Sequence, residues 1–247
     1  MPNNLRRTVI ITGGNRGIGW DITQRFSSAN YDVFVGSRSG MEQNLVNVTH
    51  VPMDVRKAED HAMLVNHALL RTGRVDVYIN NAGYSEWRPI DQIDEEFLDD
   101  IINTNLKGAF WGCKAAYNAM KSGGSIINIS SIAGKRGSSN NSAYVATKFG
   151  MNGMTQSLAK EFGPNGIRVN GLCPVLIPTP GLMTALESKY APGGDNPIEW
   201  MQKFAQEQTA LHRLPTGKEV ADACMMLVNT TAITGQNINV DCGVFPQ

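Results

Sequence analysis

The sequence predicts an α/β fold, a Rossmann-like doubly wound parallel sheet of about seven strands with helices on both faces. Three observations carry this: short β-rich runs recur along the chain, helix-length segments separate most of them, and a glycine-rich turn follows the first run. Alternation of strand and helix implies parallel pairing by right-handed crossovers.

The runs are "TVIIT" at 8–12, "DVFVG" at 32–36, "VTHVPM" at 48–53, "VDVYIN" at 75–80, "SIINIS" at 125–130, "IRVNGL" at 167–172 and "QNINVD" at 236–241. They are apolar throughout instead of alternating, as strands covered on both faces are. Helical segments are expected at 17–29, 57–72, 94–121, 142–162 and 217–229. No linker or repeat divides the 247 residues, which reads as one domain over 1–247. The irregular stretch at 173–215 is rich in Pro and Gly, with helical patches at 181–190 and 197–209. A long late insertion of this kind suggests a substrate lid, placed at about 175–214.

Composition narrows the function classes. Lys+Arg and Asp+Glu both number 22, giving no reason to expect a nucleic-acid or membrane partner. Cys113, Cys173, Cys224 and Cys242 stand far apart, and the four histidines form no H-E-x-x-H, so no metal site is indicated. The start "MPNNLRRTVIITGG" has too few apolar residues for a signal peptide, and no run reaches the ~20 apolar residues of a membrane span. A cytoplasmic location is expected.

The turn "TGGNRGIG" at 12–19 places Gly13, Gly17 and Gly19 as G-x-x-x-G-x-G where the first helix opens. Glycines allow close approach, and a helix N-terminus offers free N–H groups and a positive dipole end to a pyrophosphate. At the end of the second strand, where an acid commonly binds the adenosine ribose, stands Ser37, followed by Arg38. Loss of the carboxylate and gain of a guanidinium favour a 2′-phosphate, with Arg16 as a second cation. NADP(H) is therefore expected in preference to NAD(H). The competing reading of both arginines is a solvated surface.

"SAYVATKFG" at 142–150 sets Tyr144 four residues before Lys148, on one helical face. A cation one turn away is expected to lower the phenol's pKa from its usual value near 10.

Together these residues resemble the short-chain dehydrogenase/reductase family in its compact one-domain form, near its 3-oxoacyl-[acyl-carrier-protein] reductase-like members. The resemblance extends to "NNAG" at 80–83, "MDV" at 53–55, "NTNLKGAF" at 103–110, "NISS" at 128–131 and "TGQNINVDCG" at 234–243. It implies hydride transfer between a nicotinamide and a carbonyl or secondary alcohol, with Asn105, Ser131, Tyr144 and Lys148 catalytic. The cofactor residues it implies are Gly13, Asn15, Arg16, Gly17, Ile18, Gly19, Ser37, Arg38, Asp54, Val55, Asn81, Ala82, Gly83, Tyr144, Lys148, Pro174, Ile177 and Thr179. Asp54 matches an acid that contacts the adenine, and a homo-oligomer, tetramer or dimer, is implied as well.

The chain departs from the family pattern in several places. Val175 replaces a usual glycine after Pro174, Cys242 replaces another with only a packing consequence expected, and 39–47 is short for a linking helix. Candidate walls for the substrate are Tyr84, Trp87, Arg88, Arg136, Asn140 and the lid, which hint at a polar or anionic substrate. Beside an NADPH-dependent carbonyl reductase stand two alternatives: an NAD(P)-dependent alcohol or sugar dehydrogenase working oxidatively, and a non-catalytic nucleotide sensor.

Overall fold

A computed structural model describes residues 6–41, 43–120 and 123–246. Strands β1 (Thr8–Thr12), β2 (Asp32–Ser37), β3 (Val48–Pro52), β4 (Val77–Asn80), β5 (Gly124–Ile129), β6 (Ile167–Pro174) and β7 (Asn237–Val240) form one sheet in the order β3-β2-β1-β4-β5-β6-β7. Every pairing in it is parallel. The chain steps outward from β1 to β3, then crosses back to place β4 on the other side of β1. That reversal opens a crevice at the carboxyl ends of β1 and β4, where open α/β sheets bind ligands.

Side chains alternate across each strand, so the two sheet faces build two cores. Val9 and Ile11 join Ile22 and Phe26 of α1 (Gly17–Ser28) and Val220, Cys224 and Leu227 of α8 (Gly217–Asn229). On the opposite face Ile10, Phe34, Tyr78 and Ile126 pack with α2 (Ala58–Thr72), α4 (Gly108–Ala119) and α5 (Ser142–Phe162). A buried amide chain stitches this face to the sheet: Asn80 Nδ2 donates to Asn128 Oδ1 at 2.9 Å, and Asn128 Nδ2 donates to Thr155 Oγ1 at 2.9 Å. Buried hydrogen bonds of this kind favour one arrangement of strands and helix, although Asn80 Oδ1 itself has no partner among the described residues.

The helix expected at 94–121 is interrupted. It comprises α3 (Glu95–Ile102), a π-helical turn (Asn103–Lys107) and α4, and position 121 lies outside the described residues. The N-terminal residues 1–5 lie outside them too. Strand β6 runs two residues beyond the expected end, because Cys173 and Pro174 still face Asn239 and Val240 of β7. No helix stands between β2 and β3 among the described residues, as the short 39–47 segment foreshadows.

The late insertion holds α6 (Pro180–Leu186) and α7 (Pro197–Gln208). They pack a small core of their own, Leu186, Ala191 and Met201, around Trp87 from the loop after β4. Cys242 adopts φ 53°, a left-handed backbone that favours glycine. Its replacement of glycine therefore has a backbone consequence, correcting the expectation of packing alone.

Candidate active site

The carboxyl ends of the strands open into a cleft of about 880 Å³. Every residue assigned above to the cofactor lines it, and so do Ser131, Tyr144 and Lys148. Asn105 does not; it is fully buried one layer behind.

At the adenosine end, Arg16 precedes α1 and supplies no side-chain cap, so the first N–H groups of the helix point to the cleft without a side-chain partner. Gly13 and Gly17 have φ of 65° and 53°, and a Cβ on Gly13 would come within 3.0 Å of Ala82 Cα. Thr12, which the sequence reading did not single out, holds this turn to β4: its hydroxyl accepts from the N–H groups of Asn81 and Ala82, both at 3.1 Å. Asn81 Nδ2 completes the tie by donating to the carbonyls of Thr12 (3.0 Å) and Gly13 (3.1 Å). The Asn81 side chain thus braces the turn. A tight, N–H-rich cradle beside two cations fits a dinucleotide pyrophosphate.

Arg16 and Arg38 are exposed on this rim, and neither forms an ion pair among the described residues. Ser37 Oγ donates to Ser39 O at 2.7 Å and lies 2.9 Å from His50 Nε2, a contact no sequence motif signals. The Asp54 carboxylate is already engaged: Arg56 Nε donates to both of its oxygens, at 3.0 and 2.9 Å. Those hydrogen bonds hold its pKa below the usual carboxylate value.

At the other end, Ser131 closes β5 and Tyr144 and Lys148 project from the first turns of α5. The Ser131 hydroxyl accepts from Ala133 N–H at 3.1 Å and lies near enough to the Tyr144 phenol to favour its ionised form. Lys148 Nζ sits 5.6 Å from the Tyr144 ring centroid and donates to Ile129 O at 2.8 Å. Burial pushes the Lys148 ammonium down to about 8, and Lys148 is 5% exposed. Burial also raises the Tyr144 pKa, against the lowering expected from Lys148; the Ser131 hydroxyl only partly opposes it. Desolvation wins because the lysine is itself pushed toward its neutral form.

The π turn aims Asn105 at the loop after β4, as such bulges do at many functional sites. Tyr84 N–H donates to Asn105 Oδ1 at 3.0 Å, and Asn105 Nδ2 donates to Tyr84 O at 2.8 Å. A Cβ added to Gly83 would lie 2.9 Å from Asn105 Oδ1 and 4.0 Å from Lys148 Nζ, so this glycine keeps open the gap between them. Among the substrate-wall candidates, Tyr84, Trp87 and Arg136 line the cleft, together with Trp200 and Phe204 of the lid. Arg88 and Asn140 do not. Arg88 is bound to Glu86 at 2.6 Å, and Asn140 Nδ2 donates to Tyr190 O at 3.2 Å.

The fold and the cradle define a dinucleotide-binding oxidoreductase scaffold. The chain belongs to the short-chain dehydrogenase/reductase family: residues 13–245 match a family model described as Enoyl-(Acyl carrier protein) reductase. It is 31% identical to a diacetyl reductase [(S)-acetoin forming] of Staphylococcus aureus over 99% of each chain. It is 32% identical to a 3-oxoacyl-[acyl-carrier-protein] reductase of Chlamydia trachomatis over 97% of this chain and 98% of that protein. Among solved structures, a variant of actinorhodin polyketide ketoreductase with NADPH is similar at a TM-score of 0.87 and 29% identity, covering 99% of each chain.

Proposed function

We propose that the protein is an NADPH-dependent carbonyl reductase in which Tyr144 is the general acid. The observation that carries this reading is the wall formed by Ser131, Tyr144 and Lys148 in the same cleft as the glycine cradle. The nicotinamide, when bound, supplies the hydride that reduces the carbonyl carbon. Tyr144 gives its proton to the carbonyl oxygen as negative charge builds there, and the Ser131 hydroxyl holds that oxygen. Lys148 spends one N–H on Ile129 O and keeps two for the nicotinamide ribose. Asn105 Oδ1 retains a lone pair beside the gap under Gly83, where a water would relay protons toward Lys148.

The preference for NADPH rests on Arg16 and Arg38, which form no ion pair among the described residues and are free to take a 2′-phosphate. Titration of the intrinsic fluorescence with NADPH and NADH tests it; equal or tighter NADH binding overturns the role given to Arg38. Tyr144→Phe is expected to abolish turnover of carbonyl substrates while NADPH still binds. A variant at near wild-type rate would remove Tyr144 from the chemistry.

We also infer a homo-oligomer, tetramer or dimer, through the outer sides of α3, α4 and α5. Phe110 and Phe149 stand 46% and 47% exposed there, an apolar surface that association would cover. Light scattering after gel filtration reads the mass directly. The proposed location is the cytoplasm, supported by four cysteines that are all unpaired.

A further inference from the structure

We propose that Arg136 binds an acidic group on the substrate, so that the preferred carbonyl compounds are amphipathic: an apolar body under the lid and a carboxylate or phosphate at Arg136. This rests on the carbonyl-reductase reading and extends it to substrate class.

The charge distribution along the cleft is one-sided. Its sole carboxylate among the described lining residues is Asp54, at the adenosine end, where Arg56 occupies both oxygens. The substrate end carries Arg136 and Lys148 and no acid. Lys148 is held by Ile129 O, but the half-buried Arg136 guanidinium has no hydrogen-bond or ion-pair partner among the described residues. Five arginines outside the cleft are held by close carboxylates, Arg25 by Asp222, Arg56 by Asp54 and Asp100, Arg74 by Asp76, Arg88 by Glu86 and Arg213 by Glu219, whereas Arg71 is exposed on the surface and Arg7 lies over the Tyr31 ring. The three arginines that line the cleft, Arg16, Arg38 and Arg136, have no such pair among the described residues. A partly desolvated guanidinium without a partner favours an anion, which it binds by charge-assisted bonds.

Two polar atoms behind the cleft wall are also unpaired among the described residues. Ser85 Oγ and Asn141 Oδ1 are buried without hydrogen-bond partners, and both residues line the cleft. The lid contributes Leu182, Ala185, Trp200 and Phe204 to the same cleft, and the loop after β4 contributes Trp87. A ligand matching both walls is acidic at one part and apolar at another. Arg136 is set by the short turn after Ser131, its N–H donating to Ile132 O at 3.1 Å, so its backbone position is fixed relative to the proposed acid–base group.

The test compares 4-oxo-4-phenylbutanoate and 5-oxo-5-phenylpentanoate with their methyl esters, using NADPH and wild type, Arg136→Leu and Arg136→Lys. At least one acid is expected to be reduced with higher kcat/KM than its ester. Arg136→Leu should lower that value by roughly 30-fold, the scale of a lost charge-assisted hydrogen bond, while ester reduction and NADPH affinity hold. Arg136→Lys should recover part of it. Equal losses for acid and ester, or wild-type preference for both esters, overturn the proposal. If wild type binds NADPH but reduces none of the four compounds, the reductase reading has failed for them, and binding decides the role of Arg136. In that case, fluorescence titration with 4-phenylbutanoate and 4-phenylbutanamide should show tighter acid binding that Arg136→Leu abolishes. Equal affinities overturn it.

Discussion

Lys148 is the side chain whose chemistry is most altered by its surroundings. Its pKa falls from 10.5 to about 8, so between these values the unfolded chain binds more protons than the folded one. Stability attributable to Lys148 therefore rises with pH across that window and is lowest below it. Urea unfolding of wild type and Lys148→Met at pH 7.5 and pH 10 should show the difference moving in favour of wild type; a constant difference contradicts the shift. Cys242 is a second local anomaly. A side chain at its left-handed φ costs about 1–2 kcal/mol, and glycine loses about 0.5–1 of that through greater unfolded-state freedom. Cys242→Gly should raise Tm by roughly 2 °C. At this scale the sequence was informative where spacing carries the chemistry, as for Tyr144 and Lys148. It was silent on Thr12 and His50, whose roles come from distant loops brought together by the sheet.

Among the elements, the π turn at Asn103–Lys107 was the least legible. Periodicity treats 94–121 as one helix, and a single inserted residue shifts the register without changing composition. Its consequence is the gap beneath Gly83. Gly83→Ala should fill that gap and lower kcat by roughly 10- to 100-fold, the range of an impaired proton transfer, with some loss of Tm because Asn105, bound on both sides to Tyr84, must shift. Thermal unfolding beside steady-state rates separates the two, and an unaffected kcat removes the relay. The strands, by contrast, were readable to within a residue or two, because burial on both faces leaves an uninterrupted apolar run. Val175 is tolerated in place of glycine because its backbone is not left-handed.

On the scale of the whole molecule, the lid owes its position to a small core distinct from the two that flank the sheet. Trp87 is its main apolar tie to the body, 6% exposed among Leu186, Ala191 and Met201. Trp87→Ala should remove about 3–5 kcal/mol from that packing, a loss confined to the lid. Limited proteolysis should then cut within 175–214 well before the sheet is digested; unchanged cleavage would show that the lid is held elsewhere. The insertion was visible in the sequence as a change of composition. How it folds over the cleft was not, since its anchor lies about ninety residues earlier in the chain.

The connection from Pro174 to Asn237 also orders the assembly of the protein in time. Strand β7 pairs with β6 alone, and the chain makes the whole lid and α8 before returning to it. During synthesis β6 is therefore an open sheet edge until Asn237–Val240 emerge, and long-range parallel pairing is slow to close. A nascent or truncated chain ending before Asn237 would expose that edge to other chains, making β7 a guard against aggregation as well as a part of the sheet.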